Sequence, residues 1–96
     1  MPAPDPVTVA RAAAREFLRS RGFLDEQVAE LAGPPVLGPV PFERDGARLT
    51  AYRWLGAGRG EDYVQVEIGR DAVTVRGARG DAGLPDLVLP AADTGT

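Results

Sequence analysis

The sequence predicts an α+β fold in which one long and one short helix pack on one face of a four-stranded antiparallel sheet made of two hairpins. Three observations predict it. Apolar residues recur at helical spacing only in the first third of the chain, strict alternation takes over after residue 60, and Asp45-Gly46 separates two strand-like runs. A chain of 96 residues has room for one core and not for two. The expected organisation is therefore a flexible arm over residues 1–5, a single domain over 6–90 and a disordered tail over 91–96.

The first helix is expected over residues 7–21. Asp5 suits the N-cap and Pro6 the first helical position, where a missing N–H costs nothing. Val9, Ala10, Ala13, Ala14, Phe17 and Leu18 fall on one side of it. Gly22 is placed to end the helix in the left-handed conformation, with Phe23 just beyond it touching Leu18. A second helix of about two turns is expected from an Asp25 cap to Ala32, closed by Gly33 and the Pro34-Pro35 pair. Prolines and glycines then make residues 33–41 an extended connector.

Asp-Gly is the short-range signal for a two-residue hairpin turn with both φ angles positive. With the turn at Asp45-Gly46, Glu43 lies opposite Arg48 and Phe42 opposite Leu49. The second hairpin joins Tyr63-Val64-Gln65-Val66-Glu67-Ile68 to Ala72-Val73-Thr74-Val75-Arg76, through a turn centred on Gly69-Arg70 or Arg70-Asp71. Residues 84–90 form a short apolar return suited to covering a sheet edge.

The composition removes most chemistry. There is no His and no Cys, and all 11 basic residues are Arg. General acid–base work near neutral pH draws mainly on His, or on Glu, Lys or Cys retuned by burial. Ser20, the sole serine, has no imidazole or amine to activate it. A carboxylate pair or an all-oxygen metal site is what remains, with Glu61-Asp62 and Asp25-Glu26 as the nearest acids. Adjacent acids of this kind are ordinarily solvated or capping. The protein is therefore expected not to be an enzyme and to need no cofactor or metal.

A net charge of −3 has the wrong sign for neutralising phosphates, so nucleic acid is not an expected partner. No apolar run reaches the roughly 18 residues that span a bilayer, and no signal peptide is visible at the start, so a cytoplasmic, membrane-free protein is expected. Cysteine-free composition agrees with a reducing compartment. The all-arginine basic set, with abundant Ala, Gly and Pro, is that of a GC-rich, bacterial kind of coding sequence.

Three short motifs carry little. Gly56-Ala57-Gly58-Arg59-Gly60 lacks the Lys-Ser/Thr pair of a phosphate loop and leads into a strand rather than a helix. Arg79-Gly80-Asp81 is a three-residue match in a chain rich in Gly and Arg. Arg11, Arg15 and Arg19 line a stripe beside the buried helix face, and form a secondary candidate for binding an acidic partner.

The leading candidate lies on the sheet. If Phe42, Leu49, Ala51, Leu55, Val64, Val66, Ile68, Val73 and Val75 face the helices, alternation sends Tyr52, Trp54 and Tyr63 to the opposite face. There they would stand with Arg48, Gln65, Glu67, Thr74 and Arg76. Aromatics beside arginines are the residues that carry binding energy at protein interfaces and stacking sites. The binding candidates are thus Tyr52, Trp54, Tyr63, Arg48 and Arg76. Arg53 falls on the supposedly buried side, so the alternative is a bulge or twist near it that turns Tyr52 or Trp54 inward.

A helix followed by an antiparallel meander, with the run Asp62-Tyr63-Val64-Gln65-Val66-Glu67-Ile68, loosely resembles small PepSY-type and cystatin-like domains. The connector over 33–41 departs from that pattern, and no function or site residue is carried over from it. The expected function is a non-catalytic protein-binding module, an adaptor, inhibitor or immunity-like protein, acting through the aromatic and arginine sheet face or a sheet edge. The expected partner is another protein or, by self-association through that face, a second copy of the chain. Small-molecule or carbohydrate stacking on Trp54, Tyr52 and Tyr63 is the second reading, and a carboxylate-dependent enzyme or enzyme subunit the third.

Overall fold

The computed structural model describes residues 5–56 and 60–90. Apart from Asp5, the expected arm and tail lie outside the described residues, as do residues 57–59 of the glycine loop. The first helix, α1, spans Pro6–Ser20 and starts where Asp5 and Pro6 place it, although the Asp5 side chain makes no capping bond. Its far end is a glycine stop. Gly22 has φ +76°, its N–H donates to the Arg19 carbonyl, and the Phe23 N–H donates to the Leu18 carbonyl. Ala10, Ala13, Ala14, Phe17 and Leu18 are the buried face of α1.

The second helix, α2, covers Asp25–Ala29 and tightens into a single 3-10 turn at Glu30–Ala32. Asp25 is its first residue rather than its cap. The entry is held instead by Gln27, whose Oε1 accepts from the Leu24 N–H. So short a helix depends on tertiary contacts. Leu31 of the 3-10 turn is buried in the core and Val28 packs against it.

The sheet is antiparallel, in the order β1 (Leu37–Arg44), β2 (Ala47–Leu55), β3 (Tyr63–Ile68) and β4 (Ala72–Arg79). Two short strands, β5 (Ala82–Gly83) and β6 (Leu87–Pro90), both pair with the outer edge of β4. The expected four strands are therefore extended to six. The apolar return over 84–90 joins the sheet through β6 instead of merely covering it, and the connector expected over 33–41 pairs as strand from Leu37 onward.

Both hairpins form as the turn chemistry dictates. Asp45 and Gly46 have φ of 53° and 82°, and Glu43 pairs with Arg48 and Phe42 with Leu49. In the second hairpin Ile68 pairs with Val73, which places the turn on Arg70-Asp71. The helix α1 lies across β3 and β4, and the 3-10 turn lies against β2. Packing is tight where Phe17 meets the sheet. A Cβ on Gly77 would stand 2.6 Å from its ring and 2.7 Å from the Tyr63 carbonyl oxygen. Among the described residues no helix is long and apolar enough to cross a membrane.

The core lies between the helices and one sheet face. Val64, Val66, Val73 and Val75 contribute to it as expected, and Ile68 packs at its margin. The phase of β2 is the opposite of the expected one. Tyr52 pairs with Val66 and Trp54 with Val64, so both rings lie on the helix side, at 5% and 1% exposure. Phe42, Leu49 and Ala51 accordingly stand on the uncovered face. Only Leu55 keeps its expected contact with the core, at a strand end where its φ of 77° breaks the alternation.

No bulge in β2 produces this inward turn, since the β2–β3 register runs unbroken from Thr50 to Leu55 and the register shift near Arg53 lies on β1, between Leu37 and Val40. The reason is area. Alternation in β2 offers two sets, Leu49, Ala51 and Arg53 against Thr50, Tyr52 and Trp54, and the second buries far more apolar surface without desolvating a guanidinium.

Candidate functional site

The uncovered face of the sheet is the candidate site. Cross-strand pairing arranges it as two rows. Leu37, Arg53, Gln65 and Arg76 follow one another across β1 to β4, and Val40, Ala51, Glu67, Thr74 and Val88 follow across β1 to β6. Alternation along β2, β3 and β4 puts their side chains on one side, and on β1 a register shift between Leu37 and Val40 brings both of these residues to it.

Glu67 organises the face. Its side chain is 1% exposed although no helix covers it. Arg44, projecting from the end of β1, donates from both terminal nitrogens to its carboxylate at 2.6 and 3.1 Å, and Gln65 donates at 2.9 Å. Arg76 approaches the same carboxylate at 3.4 Å and Asp86 at 3.7 Å. Its Nε is enclosed without a hydrogen-bond partner. Burial alone would push the Glu67 carboxyl up. The Arg44 and Gln65 hydrogen bonds and the charges of Arg76 and Arg44 outweigh it and hold the group below the usual carboxylate range. The Arg44 guanidinium is raised in turn, chiefly by its bond to Glu67.

Arg53 is held differently. Its Nε and one terminal nitrogen donate to the Gln65 amide oxygen at 3.1 and 2.8 Å, and its guanidinium lies 4.2 Å from the centre of the Tyr63 ring. Gln65 thus links the Arg53 side of the face to Glu67. The apolar margin is formed by Leu37, Val40 and Val88, which are 48%, 44% and 61% exposed. A shallow depression floored by Ala51 is bounded by Leu37, Val40, Phe42, Arg44, Arg53 and Gln65.

Of the residues expected at the site, Tyr63 and Arg76 stand on this face together with Gln65, Glu67 and Thr74. Tyr52 and Trp54 do not. They stack on each other in the core with ring centres 6.2 Å apart, and the indole N–H donates to the Gly33 carbonyl at 3.1 Å. Arg48 is on the other side of the sheet, in a solvent-exposed pair 3.8 Å from Glu43. Arg44, Arg53 and Phe42 are the residues that sequence reasoning missed. The signal was present, because Arg53 sits in the alternation set that had been assigned to the core.

The secondary candidates divide as well. Arg11 belongs to the fold, with its Nε donating to the Leu31 carbonyl and its guanidinium 6.0 Å from the Trp54 ring centre. Arg15 and Arg19 are exposed along the outer flank of α1. Arg79 of the Arg-Gly-Asp sequence lies over Phe23 and donates to the Gly22 carbonyl, while the Gly80 N–H is taken by Asp62. Of the glycine loop, residues 57–59 lie outside the described residues.

The sheet edges are poor templates for an added strand. A two-residue hairpin makes Arg44 and Ala47, Phe42 and Leu49, and Val40 and Ala51 the mutually hydrogen-bonded pairs, so the odd-numbered residues of β1 point outward. Two of these are Pro39 and Pro41, which have no N–H to offer. The opposite edge consists of the two short strands β5 and β6, the latter ending at Pro90.

Among the described residues no three acids or other ligating side chains come together to hold a metal ion. Glu67, their one buried carboxyl, is held ionised and does not suit proton donation near neutrality. Comparison of the chain with family models, with curated proteins and with solved structures finds no match.

Proposed function

We propose that this chain is a non-catalytic binding module that holds a protein partner on the uncovered face of its sheet. One observation carries the reading. A buried carboxylate on a face that no helix covers fixes arginines from two different strands, beside exposed Leu37, Val40 and Val88. Arg and aromatic side chains are over-represented among residues that dominate binding energy, and here Arg53 and Tyr63 already form a stacked pair. The edge-pairing route is the weaker one, for the reasons of proline placement given above. Stacking of a small molecule on Tyr52 and Trp54 would require unpacking the core. A cytoplasmic setting suits a cysteine-free chain of this composition.

A photoreactive residue at Thr74, on the face, tests this against one at Arg15, on the helix flank. The expected outcome is a discrete protein adduct from position 74 that disappears when Arg53 and Arg76 are changed to Ala, with none from position 15. Equal labelling from both positions, or an adduct indifferent to the two arginines, refutes the reading.

A further inference from the structure

We infer that the segment held on this face is acidic and amphipathic, and that it lies across the strands with its carboxylates on Arg53 and Arg76. The inference rests on the docking reading above and names the chemistry of the partner. Charge is the first argument. The strand residues of the face carry Arg44, Arg53 and Arg76 against Glu67, with Asp86 at the border, so the face is net positive in a chain whose formal net charge is −3. Arg44 is matched by the two oxygens of Glu67. Arg53 is held through the neutral Gln65 amide, and Arg76 meets its two carboxylates only at 3.4 and 3.7 Å. Arg53, with no carboxylate partner among the described residues, carries the face's surplus positive charge, and Arg76, paired loosely with its two carboxylates, stands at the other end of the Arg53, Gln65, Arg76 row.

The same count disfavours a second copy seated face to face, which would set two positive surfaces against each other. It disfavours a nucleic acid too, because the remainder of the molecule repels phosphates.

Shape is the second argument. Apolar side chains border the charged row on both sides: exposed Leu37 and Val40, with Phe42, lie on β1 and exposed Val88 on β6, with Arg53 on β2 and Arg76 on β4 between them. Neighbouring strands are about 4.8 Å apart, so roughly 14 Å separates β1 from β4. A helix lying across the strands covers that span in about nine residues. Such a segment can seat apolar side chains over the Ala51 depression and still present carboxylates to Arg53 and Arg76. Small residues in the second row, Ala51 and Thr74, keep the middle of the face low.

The test uses the full isotope-labelled chain and three synthetic peptides, each about 18 residues and roughly 27 Å of helix. All share one leucine stripe at helical spacing, and the other positions are Glu, Gln or Lys. The Glu peptide is expected to shift the backbone amides of Arg53, Gln65, Glu67 and Arg76. It should bind about tenfold tighter than the Gln peptide, as one charge-assisted contact implies, and lose that margin as salt is raised. Changing Arg53 and Arg76 to Ala should erase the preference, with Trp54 emission reporting that the fold is kept. Changing Arg15 and Arg19 to Ala should leave it intact.

Equal binding of the Glu and Gln peptides on this face overturns the acidic partner but leaves the docking surface standing. Preference for the Lys peptide, or for a thymidine oligonucleotide, overturns the inferred chemistry outright. Concentration-dependent shifts of the same amides without peptide identify a second copy as the occupant. If no probe perturbs the face at millimolar concentration, both the inference and the docking reading fall.

Discussion

Trp54 separates the two ways this chain could have been built, because an indole on the outer face and an indole in the core respond oppositely to truncation. The ring is 1% exposed, stacks with Tyr52, lies under Arg11 and donates its N–H to Gly33. Replacing a buried aromatic by Ala removes about 3–5 kcal/mol through lost transfer energy and the cavity left behind. A domain of this length has a total stability of about 5–14 kcal/mol, so Trp54→Ala should remove about a fifth of it or more. With a urea dependence of roughly 1.5 kcal/mol per molar, the unfolding midpoint should fall by about 2–3 M.

Trp54→Phe gives the internal control. It keeps most of the ring and loses the bond to the Gly33 carbonyl, which is partly solvent-accessible, so the cost belongs at the low end of about 1–3 kcal/mol. The assay is urea unfolding followed by circular dichroism, with iodide quenching of native Trp54 fluorescence alongside. Weak quenching in the folded wild type and a midpoint order of wild type, Phe, Ala are expected. An Ala variant within about 0.3 M of wild type, roughly a seventh or less of the shift worked out above, with an indole freely quenched, would falsify the core assignment and return Trp54 to the surface.

Glu67 gives a pH signature. Its carboxyl is held below the usual range in the folded protein, so its contribution is fully present above the ordinary carboxylate value of about 4.3 and is lost as pH falls through the lower folded value. Glu67→Gln should therefore be less stable than wild type at pH 7, with the gap closing in acid; a gap that stays constant down to pH of about 2 contradicts the linkage. Gly77→Ala should cost about 1–3 kcal/mol, since the new methyl meets Phe17 and the Tyr63 carbonyl at 2.6 and 2.7 Å, and a thermal midpoint unchanged from wild type would mean that α1 does not sit where it is described.

Features fixed by neighbours in sequence were legible, and features fixed by competition between faces were not. The glycine stop at Gly22 and Phe23 and the turn at Asp45-Gly46 need only a few adjacent residues, so their chemistry could be read directly. Alternation alone does not say which of two sets faces inward. In β3 and β4 one set is all valine and isoleucine and the choice is forced. In β2 both sets hold apolar residues, and small Ala51 had been weighted equally with Trp54 although their buried areas differ severalfold. Inverting that one strand removed Tyr52 and Trp54 from the candidate surface and delivered Arg53, while Tyr63, Gln65, Glu67 and Arg76 stayed because β3 and β4 were correctly phased. Strands β1 and β6 were obscured for another reason. Their prolines read as coil, and they are compatible with a sheet only because each strand lies at an edge, where a missing N–H faces outward.

A face that served only solubility would be paved with polar side chains solvated one by one, and it would have no use for a buried carboxylate. Replacing a buried ion pair by apolar residues is often neutral or stabilising, so stability does not explain Glu67 either. What Glu67 does accomplish is order. It fixes Arg44 from β1 and, through charge, Arg76 from β4, while Gln65 bridges it to Arg53. Each arginine carries about 2 kcal/mol of rotamer entropy that a ligand would otherwise have to remove on binding. Arginines already fixed by the fold give up less of it at the moment of contact, and the energetic consequence of Glu67 is therefore felt in association more than in folding.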